Sequence, residues 1–283
     1  MKLFSIETGN FKLDGGAMFG VVPKVLWNQI YPADEKNQCS LAMRALLVDD
    51  GERRILVDTG VGDKQDEKFF TNFGLFGDDT MLKSLAKHGY KPEDITDIVH
   101  THLHFDHCGG TIKYDKNGNL VPTFPNANIF ISREQWEEAA NPNKRERASF
   151  LKENIMPMQE SGKLKLIDKE CELFPNFHVK FFHGHTLGQV IPHINYKGRW
   201  LVYCGDLFPM AALVYEPYIT SYDICARQTL ADKERFFAEA HKNDYTLFFE
   251  HDIYTECATI VETPKGTKVK DTFSLQEFLN KNS

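Results

Sequence analysis

Apolar positions along this chain fall into short runs broken by polar turns, with a few helical stretches between them. Residues 43–48 and 53–57 are apolar runs joined by Asp49-Asp50-Gly51-Glu52, a pattern that predicts a β-hairpin. Residues 80–88 carry Met81, Leu82 and Leu85 at helical spacing and are followed by Gly89, which predicts an amphipathic helix with a glycine stop. Residues 95–101 and 129–131 read as short strands. The second runs into Ser132, with Gln135 three residues on, the signature of a capping box opening a helix over 133–140 that Asn141-Pro142 ends.

Further along, residues 179–182 read as a strand, and 190–196 with 199–204 as a hairpin around Lys197-Gly198. Residues 230–242 are helical by the spacing of Phe236, Phe237 and Ala240, and 245–249 form another strand. A last hairpin, 259–262 with 268–270, flanks Pro264-Lys265-Gly266, and a short capped helix begins at Ser274. Hairpins early and strand–helix alternation later do not describe a parallel sheet throughout. They suit an α/β (α+β) fold of two mixed sheets packed face to face with helices outside. No repeat, low-complexity tract or long linker interrupts the chain, so one domain over 1–283 is expected, with 1–40 as a lead-in segment.

Composition narrows the function. A chain of this length buries enough surface to fold without a metal, so any metal is expected to serve chemistry rather than folding. The formal charge of −7 argues against nucleic acid as the main partner. The opening apolar run stops by Ser5, so no secretory leader is expected, and no stretch is long and apolar enough to span a membrane as a helix. The six cysteines are scattered with no C-x-x-C pair, so reduced thiols in a cytoplasmic protein are expected.

The strongest chemical signal is His102-Leu103-His104-Phe105-Asp106-His107, directly after a predicted strand. Imidazole and carboxylate together suit zinc and similar ions. In extended backbone His102 and His104 point the same way and can share one ion. Asp106 and His107 lie past the strand, where Gly109-Gly110 lets the loop turn and offer them to a second ion. Three further candidates follow predicted strands in the same manner: His185, Asp206 and His251. Asp58 also ends a strand and is a candidate for orienting a metal-bound group. His88, His100, His178, His183, His193 and His241 are read as structural.

Taken together, HLHFDH, Gly184-His185-Thr186, Gly205-Asp206 and His251-Asp252 resemble the metallo-β-lactamase superfamily, from about Leu41 to about Ile253. The resemblance implies a four-layer αββα sandwich with its site at one edge of the sheets. It implies that His102, His104 and His185 hold one metal, that Asp106, His107 and His251 hold a second, and that Asp206 bridges both. Asp58 matches the family's orienting aspartate. The segment from Leu13 to Lys24, with Trp27, resembles the branch of quorum-quenching N-acyl-homoserine lactonases and organophosphate (methyl parathion) hydrolases. That branch implies Phe19 and neighbouring apolar groups at the substrate pocket, with Trp27 and Tyr222 as further candidates, and a lead-in segment that is also a candidate homodimer contact. Two positions depart from the pattern. Gln189 stands where the family often has a second histidine, and Leu207-Phe208-Pro209 follows Asp206 where one lactonase subgroup has a tyrosine.

These readings converge on a dinuclear metal-dependent hydrolase acting on a small molecule. Two divalent ions, zinc by default with iron, manganese or cobalt as alternatives, would lower the pKa of a bridging water from about 16 towards 7. The hydroxide would attack a lactone or ester carbonyl, as in an N-acyl-homoserine lactonase, or the phosphorus of a phosphotriester, with Asp106 relaying a proton to the leaving oxygen. The rivals are relatives on the same fold. Diiron redox proteins usually place Glu where His104 stands. A mononuclear iron sulfur dioxygenase could use His102, His104, His185 and Asp206. Nucleases are disfavoured by the negative charge, and ligand-stripped binding proteins by the complete ligand set.

Overall fold

The structure, a computed structural model, describes residues 1–282. The chain forms two compact units that interleave in sequence. The first comprises Met1–Asn10, Met43–Lys169 and Gly188–Val190; the second comprises Phe11–Ala42, Glu170–Leu187 and the chain from Ile191 onward.

The strands of the first half of the chain are β1 (Lys2–Asp14), β2 (Gln38–Asp49), β3 (Arg54–Val57), β4 (Asp97–Val99), β5 (Ile112–Tyr114), β6 (Leu120–Pro122), β7 (Asn128–Ser132) and β8 (Leu164–Ile167). Six of them form one sheet in the order β1-β2-β3-β4-β7-β8, while β5 and β6 make a separate two-stranded ribbon. The expected hairpin is β2–β3, antiparallel from Leu46↔Val57 to Asp49↔Arg54. β3, β4, β7 and β8 then run parallel, with Ile55 opposite Asp97 and Asp97 opposite Asn128. Parallel neighbours in register end at the same edge, which brings the residues following β3 and β4 together. The interior of this unit is apolar: Leu46, Leu47, Val48, Leu56, Val57 and Val99 are fully buried.

The second sheet is also mixed. Its strands are β9 (Cys171–Phe174), β10 (Phe177–Phe182), β11 (Gln189–Tyr196), β12 (Arg199–Tyr203), β13 (Thr246–Phe248), β14 (Cys257–Thr263) and β15 (Gly266–Phe273), in the order β15-β14-β13-β12-β11-β10-β9. The β11–β12 hairpin closes Tyr196 on Arg199 through Lys197 and Gly198, both at positive φ (52° and 83°), as a two-residue turn compatible with right-handed strand twist demands. β12 and β13 are parallel, with Val202 opposite Leu247, so their C-terminal ends also coincide. The helix Ala226–Lys242 starts four residues before the pattern predicted. It buries Thr229, Asp232, Lys233, Phe236, Phe237 and Ala240, a stripe at three- and four-residue spacing.

The predicted helix over 80–88 is Met81–Lys87, capped by Thr80, and the terminal helix Leu275–Lys281 has the full capping box of Ser274 and Glu277. At Arg133–Ala140 the expected box is only half made. The Ser132 side chain accepts from Gln135 N, but the Gln135 side chain turns away to another duty described below. All six cysteines are free, and no helix among the described residues is long and apolar enough to cross a membrane.

Candidate metal centre

The first unit builds its share of the site on the loop after β4. His102 Nε2 and His104 Nδ1 lie 3.0 Å apart with their rings near perpendicular at 81°, and the His107 ring sits 3.9 Å from that of His102. Asp106 Oδ2 is 3.8 Å from His107 Nε2. Three imidazoles and a carboxylate thus converge in a pocket where His102 and His107 are wholly buried and His104 and Asp106 nearly so. Two imidazole nitrogens at this distance either share a proton, with one ring donating to the other, or turn both lone pairs on one cation.

The loop is held in that shape from several sides. Gln135 Oε1, released from its capping role, accepts from Leu103 N at 3.1 Å. Thr59 N donates to His107 O at 2.7 Å. Gly109 and Gly110 are required by close approach. A Cβ on Gly109 would lie 2.1 Å from the Val61 carbonyl oxygen, and one on Gly110 2.3 Å from that of Thr59. Cys108 beside them is fully buried, and burial pushes its thiol up to about 12, so it behaves as a small packing group.

Asp58, the residue after β3, anchors the inner face. Its carboxylate accepts from Thr101 N (2.8 Å) and Thr101 Oγ1 (2.6 Å), and lies 3.1 Å from His107 Nδ1 and 3.2 Å from His100 Nδ1. Burial alone would raise its pKa, but the hydrogen bonds with His100 and His107 outweigh that and hold the carboxyl down at about 2. Its backbone sits in the left-handed region at φ 56°, a strained conformation that the surrounding hydrogen bonds over-determine. The other face of His102 is held likewise, with Thr101 Oγ1 3.0 Å from its Nδ1.

The second unit presents its candidate ligands from three separate strand ends. Asp206 follows β12, and His251 follows the parallel β13. His185 follows β10. The two Asp206 oxygens divide between the histidines: Oδ2 is 3.2 Å from His185 Nε2, and Oδ1 is 3.4 Å from His251 Nε2. Each histidine is fixed through its other nitrogen. His185 Nδ1 lies 2.9 Å from Asp223 Oδ1, and His251 Nδ1 2.8 Å from the Ala42 carbonyl. The loop carrying His185 is pinned by Asp232, whose Oδ2 accepts from His183 N (2.7 Å) and Gly184 N (2.9 Å). Gly184 permits this, since a Cβ there would sit 2.3 Å from Thr229 N.

All seven predicted ligands therefore lie in one or other of two convergent groups, four in the first unit and three in the second. Two anchors went unrecognised in the sequence. His100, read as structural, contacts Asp58. Asp223 fixes His185 from a loop with no local motif, and its only signal was its place just ahead of a long helix. Among the candidates for a pocket wall, Phe19 is fully buried and stacks flat on Trp27 (centroids 4.9 Å apart, 2° between planes), so the pair fills the interior of the second unit. Tyr222 is 39% exposed. Gln189 is fully buried.

Comparison with known proteins accords with this chemistry. Residues 44–247 match the family model of the metallo-beta-lactamase superfamily. An N-acyl homoserine lactonase of Bacillus cereus is 28% identical over 243 residues, covering 82% of this chain and 87% of that protein. Among solved structures, a "probable metal-dependent hydrolase" from Staphylococcus aureus superposes with a TM-score of 0.87 at 31% identity over 96% of both chains. The dizinc quorum-quenching lactonase AidC, solved with a product, superposes with a TM-score of 0.79 at 24% identity over 96% of this chain and 94% of its own. With the family model spanning most of its length and metal-dependent hydrolases among its relatives, this chain belongs to the metallo-beta-lactamase superfamily.

Proposed function

We propose that the two ligand groups serve one dinuclear metal centre and that the protein hydrolyses small lactones or esters, with N-acyl-homoserine lactones the leading substrate class. His102, His104 and His185 would hold one ion, Asp106, His107 and His251 the other, and Asp206 would be shared. The observation that carries this reading is the Asp206 carboxylate, whose two oxygens are divided between His185 and His251 as a bridging group requires. The interleaving of the two units along the chain and the span of the family model support treating them as one domain, in the αββα arrangement.

The donor set of five imidazoles and two carboxylates fits zinc, and also iron, manganese or cobalt. When bound, such ions supply an activated water at neutral pH and charge stabilisation for a developing oxyanion. The chain's own residues do the rest. Asp58, Thr101, Asp223 and the Ala42 carbonyl fix the histidine rings, which keeps the inner nitrogens aimed. Asp106 would take a proton from the attacking water and pass it to the leaving alkoxide as the ring opens. Burial of His102 and His107 keeps bulk water from competing for the donors.

Ring opening of N-acyl-homoserine lactones, measured for zinc-loaded and metal-stripped protein, tests the reading. Metal-dependent turnover is expected. No lactone turnover in protein shown to hold two ions would transfer the assignment to the second reading, a phosphotriester or aryl ester hydrolase. The segment after Asp206 favours that alternative. Phe208 there is fully buried, stacked on Phe237 (5.4 Å, 20°) and edge-on to Phe236 (5.0 Å), so it offers no hydroxyl to a substrate. Oxygen uptake on a persulfide would instead identify a mononuclear iron dioxygenase. A cytoplasmic location and a homodimer remain part of the proposal, the latter tested by light scattering.

A further inference from the structure

The anchors named so far leave one ring unaccounted for. His104 turns Nδ1 toward His102, so its Nε2 faces away from the ligand group, into the segment that follows the helix Arg133–Ala140. There Glu146, only 4% exposed, places Oε1 3.8 Å from His104 Nε2. That oxygen is buried and makes no hydrogen bond. Glu146 carries no part of the ligand pattern in the sequence, and the superfamily motifs do not include its position.

The surroundings hold it in place. Asn143 Nδ2 donates to Glu146 Oε2 at 2.5 Å and to Glu138 Oε1 at 2.9 Å, while Asn143 Oδ1 accepts from Glu146 N at 3.0 Å. Burial, reinforced by the hydrogen bond with Glu146, raises the pKa of Glu138. The same segment grips the ligand loop twice more. Phe105 N, directly after His104, donates to Ser149 O at 3.0 Å, and the Phe150 ring packs 4.8 Å from the His104 ring. A buried carboxylate with one oxygen committed to Asn143 and the other aimed at an imidazole is not explained by packing. An apolar residue would fill that space without the desolvation penalty.

We propose that Glu146 is a positioning residue for the metal centre: its carboxylate holds the Nε2 proton of His104 and leaves the Nδ1 lone pair directed at the ion. This rests on the metal-centre reading given above. At 3.8 Å the carboxylate acts through charge rather than through a formed hydrogen bond, which suffices to select one tautomer in a buried site. It is the counterpart for His104 of what Asp58 does for His107 and Asp223 for His185.

The test is zinc affinity, measured by competition with a chromophoric chelator, on wild type, Glu146→Gln and Glu146→Asp, with thermal melting of the metal-stripped proteins alongside. Glu146→Gln is expected to lose roughly tenfold to a hundredfold in affinity for one bound ion, while the stripped protein still melts cooperatively. Glu146→Asp, which keeps the charge but draws it back by one methylene, should lose less. If Glu146→Gln does not fold, the same ordering between wild type and Glu146→Asp decides the matter. Unchanged zinc affinity in a folded variant, whatever happens to the melting temperature, overturns the proposal and leaves Glu146 a structural residue. Wild-type protein that binds no zinc, iron, manganese or cobalt would instead bring down the metal-centre reading itself, a result separable from failure at Glu146 alone.

Discussion

The two ligand groups differ in how they are built. In the first unit four candidate ligands come from one loop, and the Asp58 carboxylate anchors it through Thr101, His107 and His100 together, with Glu146 facing His104 alone. In the second unit three candidate ligands come from three strand ends, and each histidine has a separate anchor: Asp223 for His185 and the Ala42 carbonyl for His251. The first design is dense and shared, so a single loss propagates. The second is dispersed, so a single loss stays local. Both solve the same problem, which is to aim an imidazole nitrogen by holding its opposite edge.

The largest effect expected from breaking either design is at a ligand itself. His104→Ala should lose metal and activity together, by on the order of a thousandfold, since several kcal/mol of charge stabilisation depend on the ions. Its far-ultraviolet circular dichroism should be unchanged. A mutant with full activity and full metal content would remove His104 from the ligand set.

Next come the anchors, which test the comparison directly. Asp58→Asn should destabilise the protein by about 3 kcal/mol, because a buried acceptor shared by several groups is removed. Asp223→Asn disturbs fewer partners and should cost about 1–2 kcal/mol by denaturant titration. Both should weaken metal binding. Equal losses of stability would show that the dense and dispersed designs do not differ as described.

A comparable effect is expected at Gly184. Its alanine variant must push against the Thr229 backbone 2.3 Å away, which predicts a loss of about 1–3 kcal/mol together with a rise in KM or loss of metal, as the His185 loop shifts. A silent Gly184→Ala would show that the loop is adaptable.

The last is a pH effect confined to the second unit. Lys233 is fully buried, its Nζ donating to the Leu213 and Tyr218 carbonyls at 2.6 Å each, and burial pushes its pKa down from 10.5 to about 7. A lysine whose folded pKa is depressed binds its proton more weakly in the folded chain than in the unfolded one. Between about pH 7 and 10.5 the unfolded chain therefore holds the extra proton, and this group makes stability rise with pH by at most about 1.4 kcal/mol per unit. Below pH 7 both states are charged and the contribution is flat. Lys233→Met should abolish the rise in a series of denaturant titrations, and an unchanged slope would exclude Lys233 as its source.

The density of the first group is also why it was legible in the sequence. Four candidate ligands crowd six positions, whereas His185, Asp206 and His251 are identified by their common placement after strands and by family resemblance. Local grammar located most elements but not their side-chain duties. Ser132 and Gln135 read as a capping box, yet tertiary demand at Leu103 N takes the Gln135 side chain. β1 was not foreseen because few of its residues are buried. Leu3, Ile6 and Phe11 are its only core residues, too sparse for a period-two signal. Asp223 and Glu146 were invisible for a related reason: an orienting carboxylate is defined by the ring it faces, and no sequence spacing records that.

The chain passes between the two units at residues 10/11, 42/43, 169/170, 187/188 and 190/191. During synthesis, a nascent chain that has not yet supplied residues 188–190 lacks a segment of each unit. Neither unit can be produced as one uninterrupted fragment, and a single proteolytic nick cannot release either intact. The loop at His102–His107 has its anchors Asp58, Thr101 and Gln135 within the first half of the chain, whereas the proposed ligand set would be complete only once His251 has been made, near the end of synthesis.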